Sequence, residues 1–180
     1  MALQLPWGQA LTYDDLQNIP DDGHRYELLD GTLLVTPSPN TAHQRCVRNL
    51  VVVLHGAVPS DLEVFAAPFD WVVGPRTSFE PDVLVARRAD VGARNLPRPP
   101  VLAVEVLSPS TRRIDLVLKR DAYAAAAVPA YWIVDPDVPS VTFLRLEDGA
   151  YVEDGAASGP DAFAASSPFP VTVVPARLLD

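Results

Sequence analysis

The stretch from Val101 to Ser110, VLAVEVLSPS, sets the strictest condition on the fold. Val101, Leu102, Ala103, Val104, Val106 and Leu107 make both faces of a strand apolar, and such a strand has to be covered on both sides. In its middle stands Glu105, whose ionised carboxylate is costly to bury unless a cation, a metal or several donors compensate it. On this stretch alone two readings stay open. Glu105 lies at an exposed strand end or beside an arginine, or it is a carboxylate held for chemistry.

The upstream neighbour bears on that choice. Glu80-Pro81-Asp82 leads into Val83-Leu84-Val85-Ala86, a second apolar strand, and the Arg- and Pro-rich segment from Ala89 to Pro100 connects the two. Antiparallel pairing would set Asp82 beside Glu105. Two adjacent carboxylates repel each other unless a cation lies between them, which is the requirement of a hard divalent ion. Asp82, Glu105 and the backbone carbonyl of Val106 would offer oxygens to Mg²⁺ or Mn²⁺, leaving positions for water and a phosphate oxygen. The reaction suited to that set is phosphodiester hydrolysis.

The 180 residues fit one domain, 1–180, and the net charge of −9 argues against broad phosphate-driven binding to nucleic acid. A local basic cleft remains open. Arg87, Arg88, Arg94 and Arg98 fall between the two carboxylate strands and Arg112, Arg113, Lys119 and Arg120 follow Glu105, together 8 of the 14 basic residues. The alternative is ordinary solvated charge. Cys46 is single, and the chain shows neither a secretory leader nor an apolar run of membrane-spanning length, so the expectation is a soluble cytoplasmic protein without a membrane partner.

Thr12 caps a short helix over Tyr13 to Asn18, and Arg25–Leu29 and Thr32–Val35 form a hairpin around Asp30-Gly31. Glu27 thus lies on a sheet, where spacing alone reads it as an exposed cross-strand residue. Thr41 to Val58 has the apolar period of a long core helix, with His43 and Gln44 in its first turn. Leu62–Ala66 and Phe69–Val73 are strands that extend the same sheet as the Asp82 and Glu105 strands, and Trp71 packs in the core. Arg113 to Ala127 reads as a second helix, on which Asp115, Lys119 and Tyr123 share a face. That face is either a surface salt bridge with an aromatic neighbour or one that points Lys119 at the carboxylates. Ala130–Val134 is a buried strand, Val141–Leu146 with Ala150–Val152 a peripheral hairpin, and Val171–Val174 a last strand.

No G-x-S-x-G, phosphate-binding P-loop, dinucleotide fingerprint or zinc-ligand spacing occurs. Several strings instead occur together in order: Arg25-Tyr26-Glu27-Leu28-Leu29-Asp30-Gly31, Pro37-Ser38-Pro39 with His43-Gln44, Pro81-Asp82-Val83, Val104-Glu105-Val106-Leu107-Ser108-Pro109-Ser110-Thr111, then Asp115, Lys119, Tyr123 and Tyr131-Trp132-Ile133-Val134-Asp135. From about Tyr13 to Leu146 the chain resembles the Uma-two family of restriction-endonuclease-like proteins, with 147–180 as C-terminal strands and tail.

The resemblance implies an α/β fold of the restriction-endonuclease-like, PD-(D/E)XK type, a central mixed sheet flanked by helices. It implies Asp82 and Glu105 as metal-holding acids and Glu27 as an additional acid, acting directly or through water. The lysine that such nucleases carry two residues after the glutamate is here Leu107, so its role passes to Lys119. The resulting expectation is a Mg²⁺- or Mn²⁺-dependent DNA endonuclease and homodimer, with catalytic Glu27, Asp82, Glu105 and Lys119. His43, Gln44, Arg112, Asp115 and Tyr123 are the expected substrate contacts. The rival is a catalytically inactive dimeric scaffold that keeps the nuclease fold.

Overall fold

The computed structural model describes residues 9–20 and 22–180. Thr12 forms a reciprocal capping box with Asp15 and starts α1 (Tyr13–Leu16), which ends two residues before the sequence-based limit. β1 (Arg25–Leu29) and β2 (Thr32–Thr36) turn through Asp30 and Gly31, both at positive φ (51° and 83°), as the tight hairpin requires. Asn40 caps α2 (Thr41–His55), accepting from the His43 N–H, and Gly56 closes it, so the helix stops short of Val58.

β3 (Leu62–Ala66), β4 (Trp71–Gly74), β5 (Thr77–Phe79), β6 (Val83–Arg87) and β7 (Leu102–Val106) follow. A helical run then passes through a π-helical segment, Ile114–Lys119, into α3 (Arg120–Ala125). The chain continues with β8 (Ala130–Asp135), β9 (Ser140–Glu147), β10 (Ala150–Ser158), β11 (Phe163–Ala165), β12 (Val171–Val173) and a 3₁₀ turn over Pro175–Leu179.

The central sheet is mixed and six-stranded, in the order β10-β9-β8-β7-β6-β3. Only β7 and β8 run parallel within it, because the helical run between them is long enough for the crossover a parallel pair needs. The shared sheet expected for Leu62–Ala66 and Phe69–Val73 does not form. β3 joins the central sheet, whereas β4 pairs with β5 in a second, four-stranded sheet ordered β2-β1-β5-β4. The three-residue strand β5 is too short to have shown a period in the sequence. The hairpin read as peripheral is also integral: β9 pairs along β8, with Val141 and Phe143 buried, and β10 forms the sheet edge.

Both faces of the central sheet are covered, as β7 demanded. Cys46, Leu50 and Leu54 of α2 lie on one face against Val83, Val85, Val104, Val106, Trp132 and Val134. Burial of each leucine there contributes about 1.5–3 kcal/mol. Alternate residues of the same strands, Leu84, Ala103, Tyr131 and Ile133, face the other way onto Trp71, Phe79 and Tyr123. Glu105 belongs by its alternation to this second face. No described helix is long and apolar enough to cross a membrane.

Candidate functional site

The register of β6 on β7 pairs Val83 with Val104, and one further step along each strand sets Asp82 across from Glu105. The two carboxylates expected at one end of this antiparallel pair are therefore neighbours. β1 brings Arg25 and Glu27, two residues apart and so on one side of their strand, to the same place. The first turn of α2 supplies His43, and the helical run after β7 supplies Asp115, Lys119 and Tyr123.

Asp82, only 2% exposed, is held by three donors. Arg25 donates from a terminal guanidinium nitrogen to Oδ1 at 2.7 Å. His43 Nε2 lies 3.1 Å from Oδ2, and the Val106 N–H donates to the same oxygen at 2.8 Å. Burial pushes the carboxyl up, but the His43 hydrogen bond and the Arg25 and Lys119 charges outweigh it and hold Asp82 below the ordinary carboxylate range. An ionised Asp82 only accepts, so His43 carries its proton on Nε2, and its buried Nδ1 has no hydrogen-bond partner. The Val106 group that meets Asp82 is its N–H, while the sequence had pointed to its carbonyl.

Behind Asp82 lies a sealed cluster. Lys119 Nζ stands 2.9 Å from Glu27 Oε1, 3.0 Å from Glu105 Oε1 and 3.8 Å from Asp115 Oδ1. Tyr123 O–H donates to Glu105 Oε1 at 2.6 Å, and the Glu80 N–H donates to Glu27 Oε1 at 2.8 Å. Burial acts to lower the Lys119 pKa, yet Glu105, Glu27 and Asp115 raise it overall, so Lys119 remains an ammonium. Burial pushes Glu105 well up against the pull of Lys119, and Asp82, Asp115 and Glu27 add repulsion. Lys119 and Tyr123 both donate to Glu105 Oε1. Asp115 is likewise raised, by burial before its other neighbours.

A cleft of about 670 Å³ opens over the Asp82 end, between Gln17 and Pro20 on one side and Ser38, Asn40 and Gln44 on another, with Ser108–Thr111 closing a third. His43 and Gln44 line it. Glu27, Glu105, Asp115, Lys119 and Tyr123 do not; they are buried behind it, so of the nominated acids it is Asp82 that reaches the cleft. Arg112 is exposed, donates to Asp135 at 2.7 Å and lines a second cleft of about 290 Å³.

None of the eight basic residues nominated for a basic cleft lines the main cleft. Arg87 ends β6 some five residues from Asp82, roughly 16 Å along an extended strand. Arg88 is tied to Ser60 and Glu63, and Arg120 donates to the Tyr151 carbonyl beside the second cleft. Arg25 is the cation lining the main cleft among the described residues. Sequence reasoning missed Arg25, although its place two residues before Glu27 on a strand was a usable signal. It also missed the pair Asp70 and Glu80 at the cleft wall. Burial, with Asp70 and Glu27 nearby, pushes Glu80 up to about 7.

The donor set suits a hard divalent ion in its chemistry. Four carboxylates, Glu27, Asp82, Glu105 and Asp115, face two permanent cations, Arg25 and Lys119, and all their donor atoms are hard oxygens. As the side chains stand, no group of three or more His, Cys, Asp or Glu among the described residues is arranged to hold a metal ion. Lys119 stands between Glu27 and Glu105, and Arg25, His43 and Val106 occupy Asp82.

A model of the Uma2 family, described as "Putative restriction endonuclease", matches residues 12–177. Comparison with curated proteins gives no match. Among solved structures, the fold is similar to a "putative nuclease belonging to DUF820" from Anabaena variabilis ATCC 29413. The TM-score is 0.78 at 19% identity, over 94% of this chain and 97% of that one.

Proposed function

We propose, from the premise that this chain belongs to the Uma2 family, that it is a metal-dependent nuclease that hydrolyses phosphodiester bonds of DNA where Asp82 brings the buried acid cluster to the main cleft. The observation that carries the reading is the juxtaposition of Asp82 and Glu105 across one strand pair, with Lys119 bridging Glu105 to Glu27. Asp82 and Glu105 would hold the ion, assisted by Glu27. Bound there, a divalent ion supplies an acidified water and neutralises charge that develops on the phosphate.

The protein's own groups prepare the site. Arg25, His43 and the Val106 N–H keep Asp82 ionised and fixed at the end of β6. Lys119 keeps Glu27 and Glu105 within one ammonium's reach of each other, and its raised pKa makes it a hydrogen-bond donor and not a base. Because its ammonium is engaged by Glu27 and Glu105 and does not reach the cleft, its role is positioning. Tyr123 fixes Glu105 from behind in the same way.

A second reading has its own support. The full set of donors on Asp82 and the ammonium between Glu27 and Glu105 suit a nuclease fold retained as a scaffold that needs no metal. Calorimetric titration of Mn²⁺ into wild type, Asp82→Asn and Glu105→Gln, paired with a DNA cleavage assay, separates the two. The nuclease reading expects saturable binding and cleavage in the wild type and loss of both in the variants. A wild type that binds no Mn²⁺ at millimolar concentration and cuts nothing leaves the scaffold.

A further inference from the structure

The charge around the cleft limits what can enter it. Three acids, Asp70, Glu80 and Asp82, line the cavity, and its arginine, Arg25, is already hydrogen-bonded to Asp82 and to the Glu80 carbonyl. Duplex DNA carries one negative charge per about 1.7 Å of axis, and proteins that bind it tightly neutralise about 6–10 phosphates. This mouth cannot do so. Two exposed arginines stand beside the lining in the chain, Arg45 after Gln44 and Arg113 two residues after Thr111. Neither has an ion-pair partner among the described residues.

The mouth does offer rings. His24 and Tyr26 both line it, with ring centroids 6.3 Å apart and planes tilted by 50°. His24 is exposed and Tyr26 half-buried. Unpaired bases stack on such faces, whereas bases inside a duplex cannot reach them. A cavity of about 670 Å³ also has the size of a pocket for a small ligand, not of a groove for a double helix.

We infer that the cleft takes a short single-stranded phosphodiester segment, gripped at no more than about two or three phosphates and stacked on Tyr26 and His24. This rests on the nuclease reading and narrows its substrate. The test is fluorescence anisotropy with single-stranded DNA from dinucleotide to hexadecanucleotide and with a matched duplex. It is run in chelator and in Mg²⁺ with uncleavable phosphorothioate linkages, between about 50 and 200 mM salt, beside a cleavage assay on the same DNAs.

The expected result is an affinity that stops improving near the tetranucleotide and falls only about tenfold across the salt range, because about two contacts at a slope near −0.7 each give that loss. Tyr26→Leu, which keeps an apolar residue in β1, should weaken single-strand binding at least about fivefold. Affinity that keeps rising to the duplex and falls about a thousandfold with salt overturns the inference while leaving a nuclease. No binding and no cleavage anywhere in the panel overturns the nuclease reading, and this inference with it.

Discussion

The two faces of the central sheet are made from alternate residues of the same strands, yet different forces hold them. On the α2 face, Val83, Val85, Val104, Val106, Trp132 and Val134 meet Leu50 and Leu54, and the contact is apolar throughout. On the other face, Glu105 lies among Ala103, Tyr131 and Ile133 and is matched by Lys119 and Tyr123 from the following helix and, through Lys119, by Glu27 from the second sheet. An apolar face tolerates exchange of one hydrophobe for another of similar volume. A buried charge cluster tolerates no loss of a single member, because the group left behind is uncompensated.

The largest expected effect of that difference is at Lys119. Lys119→Met removes the ammonium between Glu27 and Glu105 and should cost about 3–5 kcal/mol in urea unfolding. The double variant Glu105→Gln/Lys119→Met should recover much of that loss. A double variant as unstable as the single would mean that packing, not charge, holds this face. Leu50→Ala on the opposite face should cost about 2–5 kcal/mol through transfer and cavity effects. Combined with Lys119→Met, it should be additive to within about 0.5 kcal/mol, since the two residues share no partner. Strong coupling between them would break the comparison.

Tyr123→Phe is a smaller change. It removes one donor from a carboxylate and should cost about 1.5–3 kcal/mol while leaving the aromatic packing on Trp71 and Phe79 in place, measured in the same unfolding experiment. The smallest effect is at the cleft wall. Glu80, pushed up to about 7, binds its proton more tightly folded than unfolded, so its ionisation withdraws stability as pH rises from the ordinary carboxylate value toward 7. Glu80→Gln should match wild type in Tm near pH 4.5 and exceed it by a few degrees at pH 8, which a calorimetric pH series checks.

The two faces were also unequally legible. The apolar one follows from the period of α2 and the doubly apolar β7, and the placing of Asp82 across from Glu105 follows from an antiparallel pairing that two short apolar runs make plain. The charged seam was visible only in part. Lys119 and Glu27 could be nominated, but that they share one contact depends on how the second sheet packs, and that sheet rests on β5, three residues with no readable period. The arginines misled because nearness in sequence to Asp82 runs along β6 to its far end. Arg25 and His43 converge on Asp82 from elements 57 and 39 residues away, a meeting no local pattern encodes.

The π-helical segment over Ile114–Lys119 has a consequence for how such chains can vary. Winding the same six residues as an ordinary α-helix would turn everything downstream by about 100°, carrying Tyr123 away from Glu105 without touching either residue. The spacing between Asp115 and Tyr123 therefore acts as a phase setting. A chain one residue shorter there keeps the partner of its strand glutamate only by winding the stretch as an ordinary α-helix.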